Sequence, residues 1–269
     1  MTIANINSID LNYEIAGSGK TIVCIHGYTG STKDWDNQLR VLLPAHTVVI
    51  FDLRGHGKSA SPSRKEEYSI KIFADDVAGL LKMLNIKKCC LMGHSLGGFV
   101  ALEFALKYQN MLSALVLVST TSSGAIRPPE FAEMRQKMDE LAHSEGLEAA
   151  FEYEANNYPA RVETFRKHPE QREIARQKVL ATSVDGYIYA WKAISEWEPV
   201  TSMLSEIKVP TLIYLGGEDL PPAKAAHILN KGIAGSELVV VKGSGHSPHQ
   251  ESPEFFNEKL TAFLKKINW

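Results

Sequence analysis

Hydrophobic positions in this chain come in two textures. Near the start, Ile9, Leu11, Tyr13 and Ile15 alternate with mostly polar positions, the period-2 pattern of a strand with one buried face. The preceding run, Thr2 to Asn7, is its expected partner. Farther along, the apolar runs are unbroken: Thr21 to Ile25, Thr47 to Phe51, Cys89 to Met92, Ala114 to Val118, Thr211 to Leu215 and Leu238 to Val241. Successive side chains of a strand point to opposite faces. An unbroken run therefore predicts a strand covered on both sides, as in a parallel sheet between helical layers.

Helical periodicity separates these runs. Between Ser69 and Asn85, the residues Ile72, Phe73, Val77, Leu80, Leu81 and Leu84 recur at helical spacing, and Val100, Ala101, Phe104 and Ala105 do so after Ser95. A last helix is announced by Ser252 as a cap, Pro253 at the first helical position and Glu254 at the positive end of the dipole. Strands alternating with helices predict a doubly wound α/β sheet, whose ligands bind at the carboxyl ends of the strands. The stretch 121–206 breaks the alternation. It holds only helical pattern, with Phe131, Met134 and Met138 on one face, Ile174, Lys178 and Ala181 weakly on another, and Tyr187, Trp191 and Ile194 on a third. It is too long for a connection and reads as a helical insertion. The core is thus expected in 1–120 and 207–269.

Composition narrows the class. The 269 residues carry 29 Lys and Arg against 31 Asp and Glu, a net charge of −2, with 44% hydrophobic and 22% charged residues. This is not the profile of a disordered chain, and the absence of a basic excess speaks against nucleic acid as partner. No apolar stretch reaches membrane-spanning length, and no basic segment followed by an apolar core marks a secretory signal. Cys24, Cys89 and Cys90 lie in strand-like runs without CxxC spacing, so neither disulfides nor zinc are expected and a reducing, cytoplasmic location is. The nine histidines show no HExxH and no metal-ligand spacing. Gly17-Ser18-Gly19-Lys20-Thr21 ends like a phosphate loop, but position 14 is Glu14 and a strand follows where a helix should.

One segment carries chemistry. Gly93-His94-Ser95-Leu96-Gly97 matches G-x-S-x-G between a predicted strand and a predicted helix. That motif is a sharp turn that presents the serine hydroxyl near a helix N-terminus. A serine needs a base within hydrogen-bond reach. His246, in Gly243-Ser244-Gly245-His246, follows the last strand, and Asp219, in Gly216-Gly217-Glu218-Asp219, follows the strand before it. Both are expected on the sheet edge that carries Ser95, and the order Ser95, Asp219, His246 is that of the hydrolase triad on this architecture.

These segments resemble the α/β-hydrolase fold superfamily over nearly the whole chain. Ile25-His26-Gly27-Tyr28 is similar to its oxyanion loop, Phe51-Asp52-Leu53-Arg54-Gly55-His56-Gly57-Lys58-Ser59 to its D-x-R-G-H-G-x-S turn, and Gly245-His246 with Glu251-Ser252-Pro253 to its G-H…E-x-P signature. The resemblance implies a mostly parallel eight-stranded sheet with helices on both faces. It also implies an oxyanion hole made by the N–H groups of Tyr28 and Leu96, and a cap formed by 121–206. It selects Asp219 over Glu218 and Asp52 as the acid. Ser119-Thr120-Thr121, where some relatives carry it, has no carboxylate. His94 is expected to pack under the turn, His26 to bond the loop backbone, and His249 to face solvent or the site mouth.

By the same resemblance the activity is cleavage of a small, mainly apolar carboxylic ester through an acyl-enzyme, with no cofactor or metal. Phe131, Met134, Met138, Phe151, Trp191 and Trp197 are candidates for an apolar pocket wall, at least half of them expected only to pack the cap. Three rivals share the architecture. His26-Gly27-Tyr28-Thr29-Gly30-Ser31 is similar to the menaquinone-pathway synthase that eliminates pyruvate, though that family commonly has Arg where this chain has Phe99. An acyltransferase or perhydrolase would use the same triad, and a hydrolase-like receptor would bind without turnover. Epoxide and haloalkane hydrolysis are disfavoured, since relatives with that chemistry carry Asp at the elbow. Charge adds a lean on substrate. Residues 121–206 hold 10 Lys and Arg against 15 Asp and Glu, and an acidic cap would disfavour anionic substrates.

Overall fold

The structure, a computed structural model, describes residues 2–123 and 130–267. The strands are β1 (Thr2–Ile6), β2 (Ile9–Gly17), β3 (Lys20–Ile25), β4 (His46–Phe51), β5 (Cys89–His94), β6 (Leu112–Val118), β7 (Thr211–Gly216) and β8 (Glu237–Val241). The helices of the first half are α1 (Asp36–Leu42), α2 (Ile70–Met83) and α3 (Leu96–Lys107). Within the insertion lie α4 (Glu130–Ser144), α5 (Leu147–Asn157), α6 (Pro159–Lys167), α7 (Pro169–Leu180) and α8 (Val184–Ser195). After it come α9 (Leu220–Gly232), α10 (Pro248–Glu251) and α11 (Pro253–Ile267).

The strands form one eight-stranded sheet in the order β1-β2-β4-β3-β5-β6-β7-β8. β1 and β2 pair antiparallel, as do β2 and β4; every pair from β4 through β8 is parallel. The unbroken apolar runs follow from this layering. Val23, Ile25, Val49, Phe51, Leu91 and Leu115 pack on one face against Phe73, Val77 and Leu81 of α2 and Val100 and Phe104 of α3. Their chain neighbours Ile22, Cys24, Val48, Ile50, Cys90 and Val116 pack on the other against Trp35, Leu42 of α1 and Phe256 and Leu260 of α11. All three cysteines are buried, and burial pushes each thiol well above its usual range. Ser69 caps α2, its side chain accepting from Ile72 N–H at 3.1 Å. The alternation of β2 outruns its cover: Ile9, Leu11 and Tyr13 are buried, but Ile15 is exposed.

The insertion is helical as expected; its residues 124–129 lie outside the described residues. Met138, Phe151, Phe165, Val179, Tyr187 and Ile188 form a small core of its own. Ala190, Ala193 and Ile194 of α8, with Trp197, Val200 and Leu204 beyond it, belong to the cluster of α2 and α3. α8 therefore presents one face to the insertion and one to the sheet's helical layer. On α7 the buried residue is Val179, whereas Ile174 of the expected face is exposed.

The start of α8 sits against the turn after β4 without room for a side chain. A Cβ on Gly186 would come within 1.9 Å of Gly55 O. Ser183 caps α8 through Gly186 N–H at 2.9 Å and donates to Gly55 O at 3.1 Å. Gly186→Ala is expected to lower stability by about 1–3 kcal/mol, the usual cost of overpacking, read as a fall in the urea midpoint. An unchanged midpoint would mean that α8 does not seat there.

Candidate active site

Ser95 stands between β5 and α3 with φ +51° and ψ −110°, a conformation costly for a non-glycine residue. The surroundings impose it. A Cβ on Gly93 would lie 2.1 Å from Gly97 O, one on Gly97 2.3 Å from Ile25 O, and one on Gly98 2.4 Å from Thr120 Cβ. Only glycines let the strand, the turn and α3 pass this closely. Ser95 N–H continues the ladder to Val118 O at 2.9 Å, and Ser95 O accepts from Thr120 Oγ1 at 2.9 Å. The hydroxyl is left at the N-terminus of α3, where the helix dipole favours negative charge.

The structure brings Asp219 and His246 to this serine from two other strand ends. His246 Nδ1 lies 2.8 Å from Asp219 Oδ2, and His246 Nε2 lies 3.0 Å from Ser95 Oγ. The carboxylate fixes the tautomer: Nδ1–H donates to it, leaving Nε2 to accept from the serine. Asp219 is buried, while the His246 side chain is 47% exposed, so water reaches the imidazole. The two loops are laced together by Gly217 N–H to Val241 O at 2.8 Å and Glu218 N–H to Ser244 O at 2.9 Å. Glu251 closes the histidine loop, accepting from Gly245 N–H and from Ser247 N–H. This accounts physically for a glutamate five residues past His246.

The loop after β3 completes the site. His26 Nδ1–H donates to Gly27 O at 2.7 Å and Nε2 accepts from Leu53 N–H at 2.9 Å. Gly27 to Gly30 form a turn closed by Gly30 N–H to Gly27 O at 3.0 Å, with Thr29 at φ +60°. Tyr28 N–H finds no acceptor among the described residues. Leu96 opens α3, so its N–H has no intrahelical acceptor either. Asp52 is occupied structurally, accepting from Thr32 N–H, Asn12 Nδ2 and Lys58 N–H at 2.8–2.9 Å. Arg54 is equally occupied, paired with buried Asp76 through two contacts of 2.8 Å. Among the described residues, no group of His, Cys, Asp and Glu is placed to hold a metal ion, and no helix is long and apolar enough to cross a membrane.

A family model of the α/β hydrolase fold matches residues 20–253. The chain belongs to the α/β hydrolase fold family. Among its relatives is a putative 2-succinyl-6-hydroxy-2,4-cyclohexadiene-1-carboxylate synthase of Bacillus subtilis (strain 168), 31% identical, with 99% of this chain and 100% of the relative covered. A proline iminopeptidase of Saccharolobus solfataricus is 28% identical, covering 98% of this chain and 91% of that one. A solved thermophilic esterase from Thermogutta terrifontis, with malate bound, is similar at a TM-score of 0.84 and 29% identity, covering 99% of this chain and 98% of that chain.

Other residues of this α/β hydrolase depart from the sequence reading or were missed by it. His249 does not face solvent. It is fully buried, 4.7 Å ring to ring from Trp35 and 4.6 Å from His94, because the short α10 turns it inward onto the α1 side of the sheet. His94 does more than pack under the turn: its Nε2 is 2.8 Å from His246 O, so it pins the backbone of that histidine. Burial drives His94 down to about 3 and His249 well below the usual imidazole range, with the neighbouring histidines adding to the shift. Two insertion residues reach the site unannounced. Lys178 of α7 pairs with buried Asp34 at 2.9 Å and contacts Gln250 at 3.1 Å. Arg135 of α4 donates to the hydroxyl of Tyr28 at 2.9 Å. A signal for Arg135 existed, since it lies four residues after Phe131 and three before Met138, on the buried stripe.

Proposed function

We infer that this α/β hydrolase is an enzyme that cleaves carboxylic esters by acyl transfer through Ser95 to water. The hydrogen-bonded run Ser95–His246–Asp219 carries the reading. In the first half-reaction His246 Nε2 takes the Ser95 proton as Oγ attacks the carbonyl carbon. Asp219 holds the imidazole and stabilises it once charged. The N–H groups of Tyr28 and Leu96 face the oxyanion, where one such donor is worth about 2.7–4 kcal/mol. His246 then returns the proton to the leaving alcohol. In the second half-reaction it activates a water, which the exposure of its side chain admits, and the acid departs.

The rings of Tyr28, Trp191 and Phe131 follow one another at 5.6 and 5.3 Å. They support a small, mainly apolar substrate. Met138, Phe151 and Trp197 are taken up by packing within the insertion and against the core, and the helices α4 to α8 act as a cap. Nitrophenyl esters of graded acyl length should be hydrolysed, short neutral acyl groups faster than anionic ones, and Ser95→Ala should not hydrolyse them. Faster turnover of anionic esters would overturn the apolar preference.

A lyase reading has one observation in its favour, the whole-length similarity to the putative synthase. Phe99 stands against it. Where a charged side chain would be wanted, Phe99 is buried with its ring 5.1 Å from Trp197. Release of pyruvate from the synthase's substrate, without ester hydrolysis, would decide for the lyase.

A further inference from the structure

The Gly27–Gly30 turn is tied to the insertion through the Tyr28 side chain. The Tyr28 hydroxyl donates to the backbone carbonyl of Tyr187 on α8 and accepts from Arg135 Nη1 on α4. Arg135 is 5% exposed and wholly engaged at the same junction. Its Nη2 donates to Tyr187 O at 3.0 Å and its Nε to Asp139 at 2.8 Å. The guanidinium carbon lies 4.3 Å from the Tyr187 ring centre, 5.3 Å from that of Trp191 and 5.8 Å from that of Tyr28. A buried cation is tolerated only when its donors are satisfied. The Tyr28 phenol is thus part of what satisfies the buried guanidinium.

We propose that Arg135 and the Tyr28 phenol are positioning groups, through which α4 and α8 hold the Tyr28 N–H where the oxyanion forms. The inference rests on the ester-hydrolase reading above and deepens it. The phenol and the amide belong to one residue, so a displacement of either helix passes directly to the amide. The turn itself does not favour its own shape, since Thr29 is β-branched and sits at positive φ. The insertion thus supplies part of what keeps the donor in place. A misplacement of about 1 Å at a reacting centre costs up to about 10²-fold in rate. Because the donor acts only when charge has reached the oxygen, the loss falls on kcat and spares KM.

Tyr28→Phe and Arg135→Met test this with p-nitrophenyl butyrate as substrate. A trifluoromethyl ketone serves as a probe that adds Ser95 Oγ to its carbonyl and leaves an oxyanion. Both variants should lose about 10- to 100-fold in kcat with KM nearly unchanged, and the ketone should bind weaker by a similar factor. A purely structural role would lower the thermal midpoint and leave kcat of the folded fraction and ketone affinity alone. Tyr28→Phe retains the ring contacts, so it decides the matter even where Arg135→Met does not fold. Unchanged kcat in folded Tyr28→Phe, or a loss confined to KM, overturns the proposal. Fluorophosphonate labelling of the wild-type protein separates the two levels. If Ser95 is not labelled, the hydrolase reading itself fails; if it is labelled while Tyr28→Phe keeps full kcat and ketone affinity, only the positioning role fails.

Discussion

Ser95→Ala is expected to lower kcat for ester hydrolysis by about 10⁶-fold, the scale seen when the nucleophile of an interlocked triad is removed. The Oγ is held 3.0 Å from the Nε2 of a histidine whose other nitrogen is fixed on a buried carboxylate. Asp219→Asn should cost about 10⁴-fold, because the amide offers a donor where Nδ1–H needs an acceptor and the imidazole settles in the wrong tautomer. KM should change little in either case. Combining the two substitutions should add almost nothing to Ser95→Ala, since the residues act as a unit. Single-turnover rates on a nitrophenyl ester measure all three. A Ser95→Ala protein within tenfold of wild type would remove Ser95 as nucleophile.

The second large effect is a steep loss of stability on mild acidification. His26, His56, His94 and His249 are each at most 6% exposed. Burial lowers all four imidazoles, His56 and His94 down to about 3, His26 below its ordinary value, and His249 well below it. Proximity reinforces this, with His26 next to His56, and His94 and Lys178 next to His249. Asp34 and Asp52 oppose it at His26 without reversing it. In the unfolded chain each imidazole protonates near 6.5. The unfolded state therefore gains protons first as pH falls, and the folded state loses ground. The stabilisation is present above pH 6.5 and is lost as pH falls below it, down toward 3 for His56 and His94.

Each such histidine makes stability rise with pH wherever the unfolded chain holds its proton and the folded protein does not. The four act in the same direction, against a total stability of only about 5–15 kcal/mol for an ordinary domain. Urea midpoints between pH 5 and 7.5 should fall steeply below about 6.5. Carboxylates with ordinary values titrate mostly below this range, and buried Asp76, raised by burial, acts in the opposite direction, so a fall in stability here points to imidazoles. His249→Phe should reduce the slope, since a phenyl ring in this place among Trp35, His94 and Phe256 takes up no proton. A slope identical to wild type would show that His249 is not held neutral.

Much of the sheet could be read in advance because its cause is local. Ile22 to Ile25 and Leu115 to Val118 are apolar without interruption, as strands with two covered faces require. Gly93, Gly97 and Gly98 flank Ser95 because a Cβ at any of them would meet backbone or Thr120 within 2.4 Å. Asp219 and His246 were likewise visible, each set at a strand end beside glycines; Gly216 is needed where Gly245 O approaches to 1.8 Å of a would-be Cβ.

Other features depend on which distant segments meet. Spacing made His249 look like a residue of the site mouth, but the turn of α10 carries it beneath the elbow. Periodicity placed Tyr187, Trp191 and Ile194 on one helix. It could not say that α8 divides its faces, with Tyr187 toward the insertion and Ile194 toward the core. Arg135 lies on the stripe of Phe131 and Met138, but its bonds to Tyr28 and Tyr187 follow only from the meeting of α4, α8 and the loop after β3.

The sequence by itself determined the strand positions, the family and the serine, acid and base candidates. Those depend on two-sided burial along single strands and on glycine-bounded turns, both properties of a few consecutive residues. The tertiary structure alone decided that His249 is buried, that α8 joins insertion to core, and that Arg135 grips Tyr28. Burial and pairing of a polar group depend on what fills the space around it, and here that filling comes from segments more than a hundred residues away, as Tyr28 from Arg135 and Tyr187.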